Sequence, residues 1–165
     1  MPVINPLTVA DKVTQTLKTG VFLTTQVDGK ADTMTIGWGS VGFIWGKPVF
    51  TVMVRRSRYT WSIIEKSHEF TVSVPTHDMS AAIKLCGTKS ARDIDKFEAA
   101  GLTAQKGKLI TTPVIAGAGM HFECKVLYKQ DMIADNLDKV TAERWYGDND
   151  WHTLYFGEIV TAYED

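Results

Sequence analysis

This sequence predicts a mainly β fold, an antiparallel barrel with short flanking helices, and three observations support that reading. Apolar and polar residues alternate over short runs. The clearest has Phe122, Cys124, Val126 and Tyr128 inward, against His121, Glu123 and Lys125 outward. Turn signals separate these runs, Asp28-Gly29 being a hairpin signal. The βαβ alternation and GxGxxG fingerprint of a parallel dinucleotide-binding fold are missing.

In chain order, Thr8 is placed to cap a short helix with Val9, Val13 and Leu17 on one face, and Gly20 to end it. Val21 to Val27 and Ala31 to Ile36 read as strands joined at Asp28-Gly29. A strand through Val41–Phe43 leads to a turn at Gly46-Lys47-Pro48. Pro48 to Val54 is apolar and β-branched enough for a buried strand, and a short helix begins near Tyr59-Thr60. Phe70, Val72 and Val74 alternate with Thr71 and Ser73, the pattern of a half-buried strand. Asp78 is placed to cap a helix through Ala81, Ala82 and Leu85 that ends at Gly87. Residues 93–100 read as helical and closed by Gly101, residues 137–145 as another helix, and 152–162 as a final strand.

A chain of 165 residues suits a single domain spanning 1–165. With 19 acidic and 18 basic side chains it has no general pull toward nucleic acid or an anionic membrane. No apolar run approaches the roughly 20 residues that span a bilayer. The N-terminus lacks the basic and apolar regions of a signal peptide. Cys86 and Cys124 form no CxxC pair and read as packing residues, so a reducing cytoplasm is the expected compartment. No metal-ligand spacing joins the four histidines, and the acidic loop Gly147-Asp148-Asn149-Asp150 lacks the full calcium pattern. Trp145, Tyr146 and Trp151 flank that loop and are expected to border the substrate side.

The stretch Met34–Trp61 carries the most chemistry. Arg55, Arg56 and Arg58 stand just before Tyr59-Thr60, at an expected helix start. A helix N-terminus presents free N–H groups and partial positive charge, so guanidiniums beside it make a phosphate site. The other reading is a solvated basic turn. Adjacent side chains of a strand face opposite ways, so Arg55 or Arg58 is expected to contact the anion and Arg56 to face solvent. Thr60 reads as an N-cap or a phosphate ligand, and Ser57 and Tyr59 add hydroxyl donors. Met34-Thr35-Ile36-Gly37-Trp38 reads either as a plain strand entering a glycine bulge or as backbone open to a planar ligand. Cys86-Gly87-Thr88-Lys89-Ser90 reads as a helix end and loop or as a set of polar donors. A flat aromatic ligand with one phosphate tail suits the combination.

These motifs, with Asp95-Lys96-Phe97, Glu123-Cys124-Lys125-Val126 and His152–Val160, resemble the flavin reductase-like family, flavoredoxin type, over nearly the whole chain. The resemblance implies an FMN-binding split barrel, a Greek-key antiparallel barrel, and a homodimer with the flavin near the subunit interface. It implies that Met34, Thr35, Ile36, Gly37 and Trp38 run past the isoalloxazine and ribityl chain. It makes Lys96 a neighbour of the flavin's pyrimidine edge and His152 a pocket residue. Lys89, Thr88 and Ser90 are expected to face flavin carbonyls or phosphate. Two departures stand out. Many relatives have asparagine just before the Met-Thr pair, where this chain has Asp32-Thr33. An acid there disfavours a reduced flavin anion, so Asp32 is expected to point away, or the register to differ by one. Ala91 follows Ser90 where many relatives have glycine.

Two functional readings follow from the resemblance. One is an oxidoreductase moving electrons from NAD(P)H or a protein donor through FMN to an acceptor. The other is a non-enzymatic electron carrier that docks to redox partner proteins. Neither needs a catalytic side chain.

Overall fold

The computed structural model describes residues 1–165. Asn5, not Thr8, caps the N-terminus: its Oδ1 accepts from Leu7 N at 3.0 Å, opening a 3₁₀ turn, Pro6–Val9. That turn runs into α1 (Ala10–Leu17), which buries Val13 and Leu17. β1 (Val21–Val27) and β2 (Lys30–Ile36) form the expected hairpin. Asp28 and Gly29 both have positive φ, as a two-residue type I′ turn requires. β3 (Gly39–Ile44) and β4 (Lys47–Arg55) form a second hairpin. Its turn lies at Trp45-Gly46, one residue before the expected one, because these two positions have positive φ and Pro48 already pairs with Phe43.

α2 (Tyr59–Ser67) and β5 (Glu69–Pro75) follow. α3 (Ser80–Thr88) runs one residue past Gly87. α4 is only Lys96–Ala100, shorter than expected because Asp95 caps it, accepting from Phe97 N and Glu98 N. Two short strands, β6 (Ala104–Gln105) and β7 (Val114–Ile115), pair with each other. The long strands β8 (Gly119–Asp131) and β9 (His152–Glu164) flank α5 (Lys139–Tyr146), which Asp138 caps.

Seven strands form one antiparallel sheet in the order β2-β1-β5-β8-β9-β4-β3. The sheet curls around a core that includes Phe50, Phe70, Phe122 and Tyr155, and α1 packs against that core. Phe50 and Phe122 meet edge to face with centroids 5.5 Å apart. A second cluster, Phe22, Cys86, Ile115 and Ala118, lies beneath α3 and α4.

Three expectations about strand faces need correction. β5 is buried on both faces, not half-buried. Thr71 Oγ1 donates to Pro113 O at 2.6 Å, and Ser73 Oγ accepts from Ile115 N at 3.1 Å. The segment before and through β7 therefore covers the outer face. It covers His121 and Glu123 too, which are fully buried rather than outward. Glu123 accepts from the amides of Lys108, Leu109 and Ile110 and from Tyr163 Oη. Tyr128 is half-exposed rather than inward, because a β-bulge between Val126 and Tyr128 resets the alternation.

Candidate functional site

Two adjoining clefts meet at Met34 and Arg58. The first is lined by Met34, Thr35, Ile36, Gly37 and Trp38 with Met53, Arg55, Trp145 and His152. The second is lined by Ser57, Tyr59 and Thr60 at the start of α2, by Cys86, Gly87, Lys89 and Ser90 at the end of α3, and by Arg92 and Lys96. Backbone geometry sets this up. β2 leads out through Gly37-Trp38 into β3, where a Cβ on Gly39 would sit 2.7 Å from Thr51 O. α3 comes close to β2 because Gly87 lacks a side chain: its Cβ would lie 3.3 Å from that of Thr35. Thr35 Oγ1 donates to Ile83 O at 2.5 Å and fixes the contact.

The phosphate-type end is built at α2. Arg58 occupies the N-cap with extended φ and ψ and no side-chain cap bond. Thr60 is therefore not the N-cap; its hydroxyl donates to buried Asp32 Oδ2 at 2.5 Å. Trp61 N bonds Arg58 O, whereas the Tyr59 and Thr60 amides have no acceptor within the protein. The Arg58 guanidinium is exposed and makes no ion pair or hydrogen bond in the protein; Lys89 is likewise unpaired. Arg92 donates to Ser57 O at 3.0 Å, with its guanidinium carbon 5.4 Å from the Tyr59 ring centre.

Several expected ligand residues are committed elsewhere. Arg55 spends its guanidinium on Trp145 O, Asp150 O and Asp148. Ser57 Oγ donates to Asp150 Oδ2 at 2.5 Å. Arg56 pairs with Asp131 at 2.6 Å on the surface. Lys96 is buried and donates to Thr33 O at 2.7 Å, with Asp32 Oδ1 at 3.4 Å. Asp32 does not line either cleft that meets at Met34. Thr88 also lies outside them, its hydroxyl turned back onto Lys84 O. Sequence reasoning missed Met53 and Arg92: neither sits in a motif, and only the pairing of β4 and the fold of the 90–95 turn bring them in.

The other end is aromatic. Trp38 meets Trp145 edge-on, centroids 5.0 Å apart, and lies 5.3 Å from the His152 ring. His152 Nδ1 is 2.6 Å from Tyr146 Oη. Burial first, then the Arg55 charge, pushes the His152 pKa down to about 4, so the ring is neutral at pH 7. Burial raises the Cys86 thiol to about 11, which leaves it protonated and unreactive. No group of three or more His, Cys, Asp or Glu side chains is placed to hold a metal, and no helix is long and apolar enough to cross a membrane.

The free donors therefore suit one phosphate: two amides at a helix N-terminus, one unpaired guanidinium and one unpaired ammonium. The Trp38, Trp145, Met34 and Ile36 surfaces suit a flat ring. FMN has both parts, and the residues present fit it.

Comparison with known proteins bears on the family and the fold. An uncharacterized protein of Archaeoglobus fulgidus is 30% identical over 131 residues; the match covers 79% of this chain, and the chain spans only 64% of that relative's length. The flavoredoxin of Methanosarcina acetivorans superposes with a TM-score of 0.71 at 26% identity, covering 88% of this chain and 68% of that one. An FMN-binding domain of a flavin reductases-like enzyme from Shewanella baltica gives 0.71 at 19% identity, covering 99% and 76%. These neighbours place the fold among the FMN-binding split barrels. The family profile described as flavin reductase like domain matches residues 14–165, and this chain belongs to the flavin reductase-like family.

Proposed function

We propose that this chain binds FMN and passes electrons from a nicotinamide or protein donor to an acceptor. The observation that carries the reading is the unpaired Arg58 guanidinium beside the free Tyr59 and Thr60 amides, opening onto the Trp38 cleft. FMN, when bound, supplies the electron transfer itself. The chain's residues do the rest. Arg58, Lys89 and the α2 amides hold the phosphate. Met34 to Trp38 run along the ring and ribityl chain, and Trp145 with His152 shields the ring from water. His152 stays neutral, so it offers a hydrogen bond without adding charge beside the ring.

One phosphate site, with no second glycine-rich phosphate loop, favours FMN over FAD. Calorimetry with both flavins tests this, and tighter FAD binding overturns it. A homodimer belongs to the same reading; light scattering that finds a monomer at micromolar concentrations with flavin bound removes it. The likeness to a flavoredoxin favours a second reading, an electron carrier that docks to redox proteins. Anaerobic titration separates the two. Bleaching of the flavin spectrum by NADH or NADPH supports the reductase. Bleaching only by a reduced protein partner supports the carrier. A purified protein that binds no flavin refutes both.

A further inference from the structure

Arg55 lies at the end of β4 and lines the ring end of the site, yet its guanidinium is spent on the 145–150 segment. Its Nη1 donates to Asp150 O at 2.7 Å and its Nη2 to Trp145 O at 2.8 Å. The guanidinium carbon stands 5.1 Å from the centre of the Tyr146 ring. Ser57 adds two bonds to the same loop, from its amide and hydroxyl to the Asp150 carboxylate. All these bonds run from the strand end to the 145–150 segment, which carries Trp145. That indole stands edge-on to Trp38, and the two remain 42% and 38% exposed. Large aromatics held half open against each other make a wall for a flat molecule.

We propose that Arg55 is a positioning residue. By bridging the Trp145 and Asp150 carbonyls it fixes Trp145 against Trp38, and so sets the wall that grips the ring of a planar ligand whatever tail that ligand carries. The proposal deepens the FMN reading and rests on it for the ligand. A planar fork suits the task because it reaches two carbonyls at once, which an ammonium does less well.

The experiment uses FMN and riboflavin, which differ only in the phosphate, with the Arg55→Ala, Trp145→Ala and double variants. Arg55→Ala should weaken both flavins by the same factor, on the order of tenfold. Trp145→Ala, a change at a half-exposed side chain, should do the same. The double variant should be no weaker than Trp145→Ala alone, since Arg55 acts through that indole. Loss of FMN binding only, in Arg55→Ala, would make Arg55 a phosphate ligand and overturn the proposal. Additive losses in the double variant, or unchanged binding in Arg55→Ala, also overturn it. A ligand-free readout separates the clamp from the flavin reading: the circular-dichroism couplet of the Trp38–Trp145 pair should collapse in folded Arg55→Ala. If it collapses while the unaltered protein binds neither flavin, the clamp stands and the FMN reading fails. If it persists, the clamp fails.

Discussion

Thr60 Oγ1 donates to Asp32 Oδ2 at 2.5 Å, and this bond ties the first turn of α2 to the middle of β2. Asp32 also holds the buried Lys96 ammonium, 3.4 Å from its other oxygen. Removing the carboxylate leaves a buried cation unpaired. Asp32→Ala should cost about 3–5 kcal/mol of stability and Thr60→Val about 1–3 kcal/mol. Urea unfolding measures both, and an Asp32→Ala protein as stable as the parent would show that the pair is solvated.

Arg58→Ala should weaken FMN by about tenfold to a hundredfold, the equivalent of one charge-assisted hydrogen bond of roughly 1.5–3 kcal/mol. Riboflavin lacks the phosphate and should hardly notice. Arg56→Ala should be near neutral, because that side chain is half-exposed and paired with Asp131 on the surface. Equal losses for FMN and riboflavin in folded Arg58→Ala would refute the phosphate role.

His152 predicts an acid-side slope in stability. Its folded-state pKa is lowered from 6.5 to about 4, mainly by burial. The unfolded ring takes up a proton below about 6.5 while the folded ring stays neutral, so this contribution is complete above pH 6.5 and lost on acidification toward pH 4. His121 is lowered too, by burial, and adds to the same slope. Melting temperatures of His152→Gln should therefore fall less steeply than the parent's between pH 6.5 and 4; parallel curves would count against the assignment.

Gly157→Ala tests the packing of β9 against β8 and β5. A Cβ there would lie 2.5 Å from Phe70 and 2.9 Å from Cys124. Both neighbours are fully buried, so the strand must shift. The expected loss is about 1–3 kcal/mol. Thermal unfolding reads it directly, and an unchanged midpoint would refute tight packing at this crossing.

Local chemistry made much of this legible in the sequence. Asp28-Gly29 declared its hairpin, and Gly101 its helix end, since only certain residues take positive φ easily. The Met34–Trp38 segment and Arg58 were readable because close backbone approach and an arginine before a helix are local patterns. The roles of Arg55, Ser57, Thr60 and Lys96 were not, because each is decided by a partner far along the chain: Asp150 for the first two, Asp32 for the last two. Glu123 and His121 looked like an outward face for the same reason. What covers them is the 106–118 segment, which has hardly any regular structure and so no periodicity to read.

β9 is the only strand that joins the β3–β4 hairpin to the rest of the sheet. Arg55 pairs with His152 across roughly a hundred residues of chain, and a closure that long makes folding slow. The β4–β9 pairing is therefore expected to close late in folding, and with it the part of the cleft that His152 lines. A change that slows the docking of β9 should reduce the yield of ligand-competent protein before it alters the affinity of the molecules that do fold.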